Sequence, residues 1–221
     1  MNKPRLLDLF SGAGGAARGY QLAGFHVTGV DIAPQPRYAG DVFVQGDALE
    51  YVAAHGHEYD AIHASPPCQK FTALGNLHHK NGYRGRHVDL VAQTRQALRV
   101  VGVPYVIENV PGAPLENSIM LCGTMFGLRV YRHRCFETSW LMLAPVHVPH
   151  DDQTPNAGRG QSPKGFVTVS GSGGVQGVSF AYLCSAMGID WMQKLELSQA
   201  IPPAYAEYIG AYLLQALAVV I

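Results

Sequence analysis

A cysteine follows two prolines in the segment Ser65-Pro66-Pro67-Cys68, directly after the apolar run Ala61–Ala64. Proline fixes the backbone angle φ, so the double proline predicts a rigid turn that would direct the Cys68 side chain. A cysteine reacts as its thiolate, and neighbouring cations stabilise that form. An isolated cysteine is more often a small core residue. Its place at a strand end, before a cationic segment, nevertheless favours a nucleophile.

The segment after this cysteine, Gln69–Val88, carries cationic residues and histidines but no acidic residue. A solvated basic loop would have the same composition. Beside a candidate nucleophile, however, it predicts a loop that closes on a polyanion, with backbone phosphates as the natural partner. The cationic residues that we expect to make these contacts are Lys70, Lys80, Arg84 and Arg86.

A glycine-rich turn, Asp8–Gly15, lies between the first predicted strand and a predicted helix. Glycines there let backbone amides approach a ligand, and the helix N-terminus favours a carboxylate or a phosphate. Asp31 and Asp47 follow the next two strands, where an acid can bind ribose hydroxyls or the polar edge of a nucleoside. The alternative for each is a helix N-cap, and for Asp47 that alternative is strong. The turn matches neither a dinucleotide fingerprint nor a phosphate-binding loop, which favours a nucleoside without a polyphosphate.

Two further polar segments lie at predicted strand ends. Glu108-Asn109 follows the fifth strand, where a buried carboxyl group would have a raised pKa and could give a proton to a ring nitrogen. A helix cap or a surface turn is the alternative. In Arg132-His133-Arg134, strand alternation would place the two arginines on one face, where they could bind a base oxygen or a phosphate. An exposed strand edge would explain them equally well.

The elements that must position these residues alternate along the chain as strand and helix. This order predicts an α/β fold with a doubly wound, mostly parallel sheet, in which ligands bind beyond the carboxyl ends of the strands. Residues 1–143 and 185–221 would form this domain, and 144–184 a small irregular insertion. The predicted strands are Arg5–Leu9, His26–Val30, Val42–Gln45, Ala61–Ala64, Tyr105–Ile107 and, within the insertion, Phe166–Ser170; the helices are Gly15–Ala23, Ala48–His55, Asp89–Val101 and Pro203–Leu217.

Composition limits the class of protein. With 221 residues and 48% hydrophobic content, the chain can bury one core of this kind. Its formal net charge is zero, so contact with nucleic acid must come from a local patch. No apolar run reaches the roughly 20 residues of a bilayer span, and no secretory signal pattern is present, so we expect no membrane association and a cytoplasmic location. The four cysteines show no paired zinc spacing, and we therefore expect no metal.

Taken in order, these motifs resemble those of the cytosine-5 methyltransferase family. The glycine turn is similar to that family's S-adenosylmethionine loop, D-x-F-x-G-x-G-G. Ser65–Gln69 resembles its P-C-Q nucleophile motif, and Glu108–Val110 its E-N-V motif. Arg132–Arg134 resembles the R-x-R part of Q-x-R-x-R. The similarity covers about residues 5–140 and resumes at about 195–217, and the shared order is far more specific than any single motif.

The resemblance implies a Rossmann-like methyltransferase fold and a role for each matching residue. Cys68 would add to C6 of cytosine, Glu108 would bond to N3, and Arg134 would bond to O2 with support from Arg132. The base would be flipped out of duplex DNA. S-adenosylmethionine, which leaves as S-adenosylhomocysteine, would be held by Asp31 at its ribose, by Asp47 at its adenine, and by Phe10, Ser11, Gly12, Gly14, Gly15 and Pro66.

The chain departs from the family pattern in three places. Val130 stands where the glutamine of Q-x-R-x-R is expected, and Gln199 replaces the asparagine of a G-N-A-V-P-P motif. The target-recognition region is almost missing, a trait typical of compact phage and prophage enzymes. We therefore expect a monomeric, bacterial or phage-encoded enzyme of the restriction-modification type that methylates DNA at a short recognition sequence or with little sequence preference. Two alternatives stay open: the same chemistry on RNA or a free cytosine nucleotide, and a non-catalytic DNA-binding relative.

Overall fold

A computed structural model describes residues 2–67, 90–147, 149–150, 165–169 and 177–219. Seven strands form one sheet in the order β3-β2-β1-β4-β5-β7-β6. The predicted doubly wound, mostly parallel α/β architecture is confirmed. The strands are β1 (Arg5–Leu9), β2 (His26–Asp31), β3 (Val42–Gln45), β4 (Ala61–Ala64), β5 (Tyr105–Asn109), β6 (Ile119–Leu121) and β7 (Arg134–Thr138).

Helices cover both faces of this sheet. No helix among the described residues is both long enough and apolar enough to cross a bilayer. The helices are α1 (Gly15–Ala23), α2 (Ala48–His55), α3 (Val91–Val101), α4 (Phe180–Met187), α5 (Lys194–Gln199) and α6 (Pro203–Val219), with short 3-10 turns at Gly56–Glu58 and Gly123–Phe126.

Strand β7 is antiparallel to both of its neighbours, and its direction brings its first residues to the edge of the sheet where β5 ends. Strands β1 to β5 are mutually parallel, whereas β7 pairs antiparallel with both β5 and β6. The first residues of β7 therefore lie beside the last residues of β5, with Asn109 opposite Cys135. The carboxyl ends of the parallel strands, where ligands bind in such sheets, share their edge with the N-terminal end of β7.

Alternation along the strands separates the core into two layers. Leu6, Ala61 and Val106 point to one face, where they pack with α1 and α6. Leu7, Ile62 and Ile107 point to the other face and pack with α2 and α3. Because side chains alternate, Asp8, His63 and Glu108 must lie on the α1/α6 face, although they are polar.

Helices α1 and α6 approach closely because glycines stand at their contact. A Cβ on Gly19 would lie 2.2 Å from the carbonyl oxygen of Pro203, and one on Gly210 would lie 2.6 Å from the Cβ of Ala23. Neither distance is possible for a real side chain, so only glycine permits this packing. The contact holds the segment before α6 against the start of α1.

The described part of the insertion contains less strand and more helix than the sequence predicted. The predicted strand Phe166–Ser170 is wrong for the described residues 166–169: only Val167 pairs, in a single parallel bridge with Val130. The Val167 backbone bonds to Arg129 and Tyr131, and the chain then leaves the register. Helix α4 begins within the predicted insertion and ends beyond it, and its Leu183 and Met187 pack beside Val130. The division into domains stays a prediction.

Candidate active site

The carboxylate of Glu108 and the guanidinium of Arg134 form a buried ion pair at the shared edge of β5 and β7. Arg134 Nε lies 3.0 Å from Glu108 Oε1, and the two side chains are 16% and 9% exposed. The register explains this pairing: Glu108 is opposite Phe136, and Arg134 is two residues away on the same face of the antiparallel pair. Oε1 has no hydrogen-bond partner among the described residues, so the contact is an ion pair with an orientation unsuited to a hydrogen bond.

Opposing effects act on the pKa of Glu108. Burial is the largest and raises the pKa above its ordinary value, while the charges of Arg134 and Arg132 and a hydrogen bond from Ser65 act to lower it. The net direction is upward. The carboxyl group therefore holds its proton at a higher pH than an ordinary glutamate, as a proton donor at neutral pH requires.

Ser65 connects this carboxyl group to a chain of buried hydrogen bonds. Its hydroxyl lies 3.0 Å from His63 Nε2, and His63 Nδ1 lies 3.0 Å from the Tyr20 hydroxyl. Burial lowers the pKa of His63 to about 3, so the imidazole is neutral and has one donor and one acceptor nitrogen. The Ser65 hydroxyl can accept from His63 Nε2–H and direct its own proton toward Glu108, while Nδ1 accepts from Tyr20. This arrangement would give the chain one direction, from Tyr20 to Glu108.

The turn after β4 is attached to the end of β5. Asn109 Nδ2 donates to the carbonyl oxygen of Pro66 across 3.0 Å, and this amide is buried. The backbone N–H of Ser65 in turn donates to the carbonyl oxygen of Leu9. The two contacts fix the Ser65–Pro67 turn between β1 and β5, beside Glu108. Cys68 follows this turn in the chain and lies outside the described residues, as do Lys70, Lys80, Arg84 and Arg86.

The glycine-rich turn after β1 has a backbone that glycine adopts more readily than other residues do. Phe10, Gly12 and Gly14 have φ angles of 57°, 49° and 83°, in the left-handed region that a non-glycine residue such as Phe10 rarely adopts. A Cβ on Gly15 would lie 2.5 Å from the carbonyl oxygen of Ile201, so the segment before α6 forms one wall of this turn. The Ser11 hydroxyl is buried and has no hydrogen-bond partner among the described residues.

The two predicted cofactor aspartates differ in their contacts. Asp31 Oδ2 accepts from the backbone N–H of Gly12 at 2.9 Å, and Oδ1 accepts from that of Ala33, so this residue joins the glycine turn to the end of β2. Asp47 Oδ1 accepts from the backbone N–H groups of Leu49 and Glu50 and caps α2. The N-cap that the sequence offered as the alternative for Asp47 is therefore present, and its proposed contact with adenine would have to use the other carboxylate oxygen.

Arg132 lies before β7 rather than in it, so the predicted strand through Arg132 is wrong, although the charges of both Arg132 and Arg134 act on Glu108. Its guanidinium donates to the carbonyl oxygens of Val169 and Ser198, and its own carbonyl oxygen accepts from Tyr205. It joins the insertion and the start of α6 to the sheet edge. Its neighbour Val130 is fully buried in an apolar cluster, which explains the absence of a glutamine at that position.

Sequence reasoning missed several residues of this region. His63 and Tyr20 carried no motif, Ser65 was named only as part of the turn before Cys68, and only the parallel register of β4 beside β1 and β5 brings His63 to the site. Four metal-binding side chains also converge near the start of β7: Cys122, His133, His147 and His150. The sequence signal available for this cluster was the His-x-x-His spacing at 147 and 150. A separate open cavity of about 350 Å³ lies beside Arg37 and Trp191, and no predicted site residue lines it.

Comparison with known proteins shows similarity of fold over almost the whole chain and similarity of sequence over a short stretch. No family model matches the chain. A curated relative, the Type II methyltransferase M.XorII of Xanthomonas oryzae pv. oryzae, is 37% identical over 90 residues. That alignment covers 34% of this chain and 21% of the relative, so the chain corresponds to only about a fifth of that protein's length.

Three solved structures match almost the whole chain. A prophage-encoded Escherichia coli protein described as a DNA modification methyltransferase superposes with a TM-score of 0.61 at 17% identity, covering 98% of this chain and 100% of that one. The Dnmt2 methyltransferase of S. pombe gives 0.66 at 15% identity, with 98% and 99% covered. The Entamoeba histolytica methyltransferase EhMeth gives 0.62 at 12% identity, with the same coverage. The chain therefore has the Rossmann-like fold of S-adenosylmethionine-dependent methyltransferases.

Proposed function

We propose that this protein transfers a methyl group from S-adenosylmethionine to C5 of cytosine in DNA, with Cys68 as the nucleophile. The observation that carries this proposal is the buried Glu108–Arg134 ion pair, which lies beside the fixed turn that precedes Cys68. A proton donor next to a cation suits a cytosine ring, because N3 and O2 are adjacent on its edge. The relative M.XorII and the prophage-encoded neighbour, both named as methyltransferases, support the reaction class.

In the proposed reaction, the Cys68 thiolate forms a bond to C6 of a flipped-out cytosine. Electron density then moves into the ring, and Glu108 gives a proton to N3 so that this charge is offset. C5 becomes nucleophilic and takes the methyl group. Loss of the C5 proton to a solvent base, with return of the N3 proton to Glu108, restores the C5–C6 double bond and breaks the Cys68–C6 bond, which returns the thiolate. Arg134 would bond to O2, where it stabilises the negative charge that develops during attack.

The glycine turn fits the cofactor that the fold implies. Its left-handed backbone, the buried unpartnered Ser11 hydroxyl and the adjacent Asp31 carboxylate form a polar cradle at the end of β1. Phe10, Gly12, Gly14 and Gly15 would contact S-adenosylmethionine there, and Asp31, Asp47 and Pro66 would line the rest of its site. When bound, this cofactor supplies an electrophilic methyl group.

Charge distribution favours a polynucleotide over a free nucleotide. The chain has no net charge, yet the segment after Cys68 contains Lys70, Lys80, Arg84 and Arg86 and no acid. A stripe of this kind suits a row of backbone phosphates. The proposal therefore places duplex DNA on this segment, with a flipped-out base reaching the Glu108–Arg134 pair.

A covalent trap tests the chemistry and the substrate together. Duplex DNA that contains 5-fluorocytosine blocks the loss of the C5 substituent, so wild-type protein with S-adenosylmethionine should form an adduct that survives denaturation. A Cys68→Ala protein should form none, while Cys184→Ala, a change in α4, should form as much as wild type. An equal adduct with Cys68→Ala would refute the nucleophile. Methyl transfer from labelled cofactor to tRNA or dCMP, with none to duplex DNA, would refute the substrate.

A further inference from the structure

Four side chains outside the proposed active site converge on one point at the edge of the sheet. They are Cys122, His133, His147 and His150, and their sulfur and nitrogen ligand atoms all lie within 4.8 Å of one another. We propose that this cluster binds a Zn²⁺ ion that attaches the start of the insertion to the sheet. The proposal is independent of the methyltransferase reaction.

Two distances within this cluster are close to the separation of neighbouring ligands in a tetrahedral zinc site. Cys122 Sγ lies 3.2 Å from His150 Nε2, and His147 Nε2 lies 3.1 Å from the same nitrogen. With Zn–S near 2.3 Å and Zn–N near 2.0–2.1 Å, neighbouring ligands of a tetrahedral site are about 3.3–3.6 Å apart. An outward shift of a few tenths of an ångström would thus bring each of these two pairs to the separation of neighbouring zinc ligands.

Hydrogen bonding alone explains this arrangement poorly. His150 Nε2 carries either one proton or one lone pair, yet it is in contact with both the Cys122 sulfur and the His147 nitrogen. It can satisfy one of these partners fully but not both. A metal ion at the centre of the cluster would use one lone pair from each atom, which removes the conflict.

The ligand set selects the ion. One thiolate and three imidazoles form a mixed sulfur and nitrogen set, which suits Zn²⁺ and is unsuited to Mg²⁺ or Ca²⁺, since those ions bind oxygen. Four protein ligands also leave no open position for water or substrate, so the site has the composition of a structural centre rather than a catalytic one.

The places of the ligands in the chain show what the ion would hold together. Cys122 follows β6, His133 precedes β7, and His147 and His150 belong to the segment that enters the insertion. That segment has little core of its own: Leu141, Leu143 and Val146 are 87%, 66% and 88% exposed. Metal binding can supply folding free energy where apolar burial does not.

The ion would also affect the adjacent arginine. Arg134 follows the ligand His133 directly, and its Nη1 donates to the His133 carbonyl oxygen at 2.8 Å. Fixing the backbone of His133 therefore restricts the position of Arg134. The proposed zinc site differs from the expectation of no metal, which rested on the spacing of the cysteines alone.

The first experiment measures metal content in protein purified without a histidine tag from zinc-supplemented medium. Elemental analysis should find about one zinc ion per chain in wild type and a large loss in Cys122→Ser and in His150→Ala. The matched controls, Cys184→Ser and His55→Ala, change a cysteine and a histidine outside the cluster and should keep the metal. Equal zinc in wild type and in the double variant Cys122→Ser/His150→Ala would overturn the proposal.

The second experiment uses wild-type protein alone, so it does not depend on whether a variant folds. Protein stripped with a chelator is titrated with Co²⁺, which reports coordination through its absorption spectrum. We expect the intense visible bands of a tetrahedral ion together with a thiolate-to-cobalt charge-transfer band, both removed by added Zn²⁺. A weak six-coordinate spectrum, a spectrum without the thiolate band, or no binding would overturn the proposal.

Discussion

The side-chain amide of Asn109 donates a hydrogen bond to the carbonyl oxygen of Pro66 across 3.0 Å, and so joins the end of β5 to the turn that precedes Cys68. A local hydrogen bond also holds the Asn109 side chain, since its Oδ1 accepts from the backbone N–H of Val110. This amide thus makes one of the two hydrogen bonds that place the proposed nucleophile's turn, and it joins that turn to the neighbour of Glu108 in the chain.

Replacing this amide should weaken both the fold and the reaction. In Asn109→Ala the buried Pro66 carbonyl loses its partner, which should lower the free energy of unfolding by about 1–3 kcal/mol. The rate of adduct formation with 5-fluorocytosine DNA should fall further than this loss of stability explains, because the turn is released. Denaturant titration and gel-shift kinetics measure the two effects. Asn2→Ala, at an exposed position, is the control, and equal adduct rates in both variants would contradict the prediction.

The pH dependence of adduct formation should report Glu108. Because burial raises the pKa of Glu108 and Arg134 opposes this effect, the rate should fall as pH rises through that pKa. Removing the cation in Arg134→Ala should raise the pKa further and move the alkaline limb to higher pH, even if the overall rate drops. Arg134→Lys keeps the charge and should keep the limb near its wild-type position. A limb that moves to lower pH in Arg134→Ala would exclude Glu108 as the titrating acid.

Replacing Gly15 or Gly46 with alanine should have different effects on stability and on cofactor affinity. In Gly15→Ala the new Cβ would lie 2.5 Å from the Ile201 carbonyl oxygen, so the wall of the glycine turn must move. We expect a loss of about 1–3 kcal/mol in unfolding free energy and a clear loss of S-adenosylmethionine affinity by calorimetry. In Gly46→Ala the new Cβ meets no atom within 4 Å, and both quantities should stay near wild type. Similar values for the two variants would argue against the close approach.

The ion pair between Glu137 and Arg95 should make stability depend on pH. Burial alone would raise the pKa of Glu137, but hydrogen bonds from Arg95 and from the Glu116 N–H outweigh it and hold the pKa below its ordinary value. A lowered folded-state pKa contributes stability above the unfolded value, near pH 4.5, and this stability is lost as pH falls through the folded value. Glu137→Gln should cost about 1–3 kcal/mol at neutral pH, because the buried Arg95 guanidinium loses its paired carboxylate and keeps only the half-exposed Glu116, 3.4 Å away.

The matched control for this pair is Glu116→Gln. Glu116 pairs with Arg99 at 2.7 Å and lies 3.4 Å from Arg95, and its side chain is about half exposed, so its loss should cost less than about 1 kcal/mol. Urea titrations between pH 3 and pH 7 would compare the two variants. A Glu116→Gln protein as unstable as Glu137→Gln would show that burial does not distinguish the two ion pairs.

Local signals in the sequence predicted the parallel half of the fold accurately. Periodic apolar runs, with glycine or aspartate at their ends, placed β1, β3, β4, α1 and α2 at their observed bounds. The short strand β6 was missed, since three residues carry too little periodicity to distinguish a strand from a turn. Arg132 was placed in a strand because alternation was assumed, whereas its contacts with Val169 and Ser198 hold it before β7.

Site residues could be predicted from the sequence where the residue type within a motif is informative. They could not be predicted where a residue reaches the site only through the way the strands pair. Glu108 and Arg134 could be proposed as partners from their motifs. His63 could not, because an isolated histidine in an apolar strand says nothing about the hydroxyls it will meet from α1 and from the turn after β4. The Cys122–His150 contact joins residues 28 positions apart and depends on the path of the insertion.

The glycine contact between α1 and α6 has a consequence for the order in which the molecule can assemble. The wall of the glycine turn comes from Ile201, and that segment is held in place by the packing of α6 on Gly19. A nascent chain that has emerged only as far as β7 already contains every strand of the sheet but lacks this wall. Folding during synthesis should therefore produce a sheet first and competence for the cofactor last, after about 60 to 80 further residues have left the ribosome.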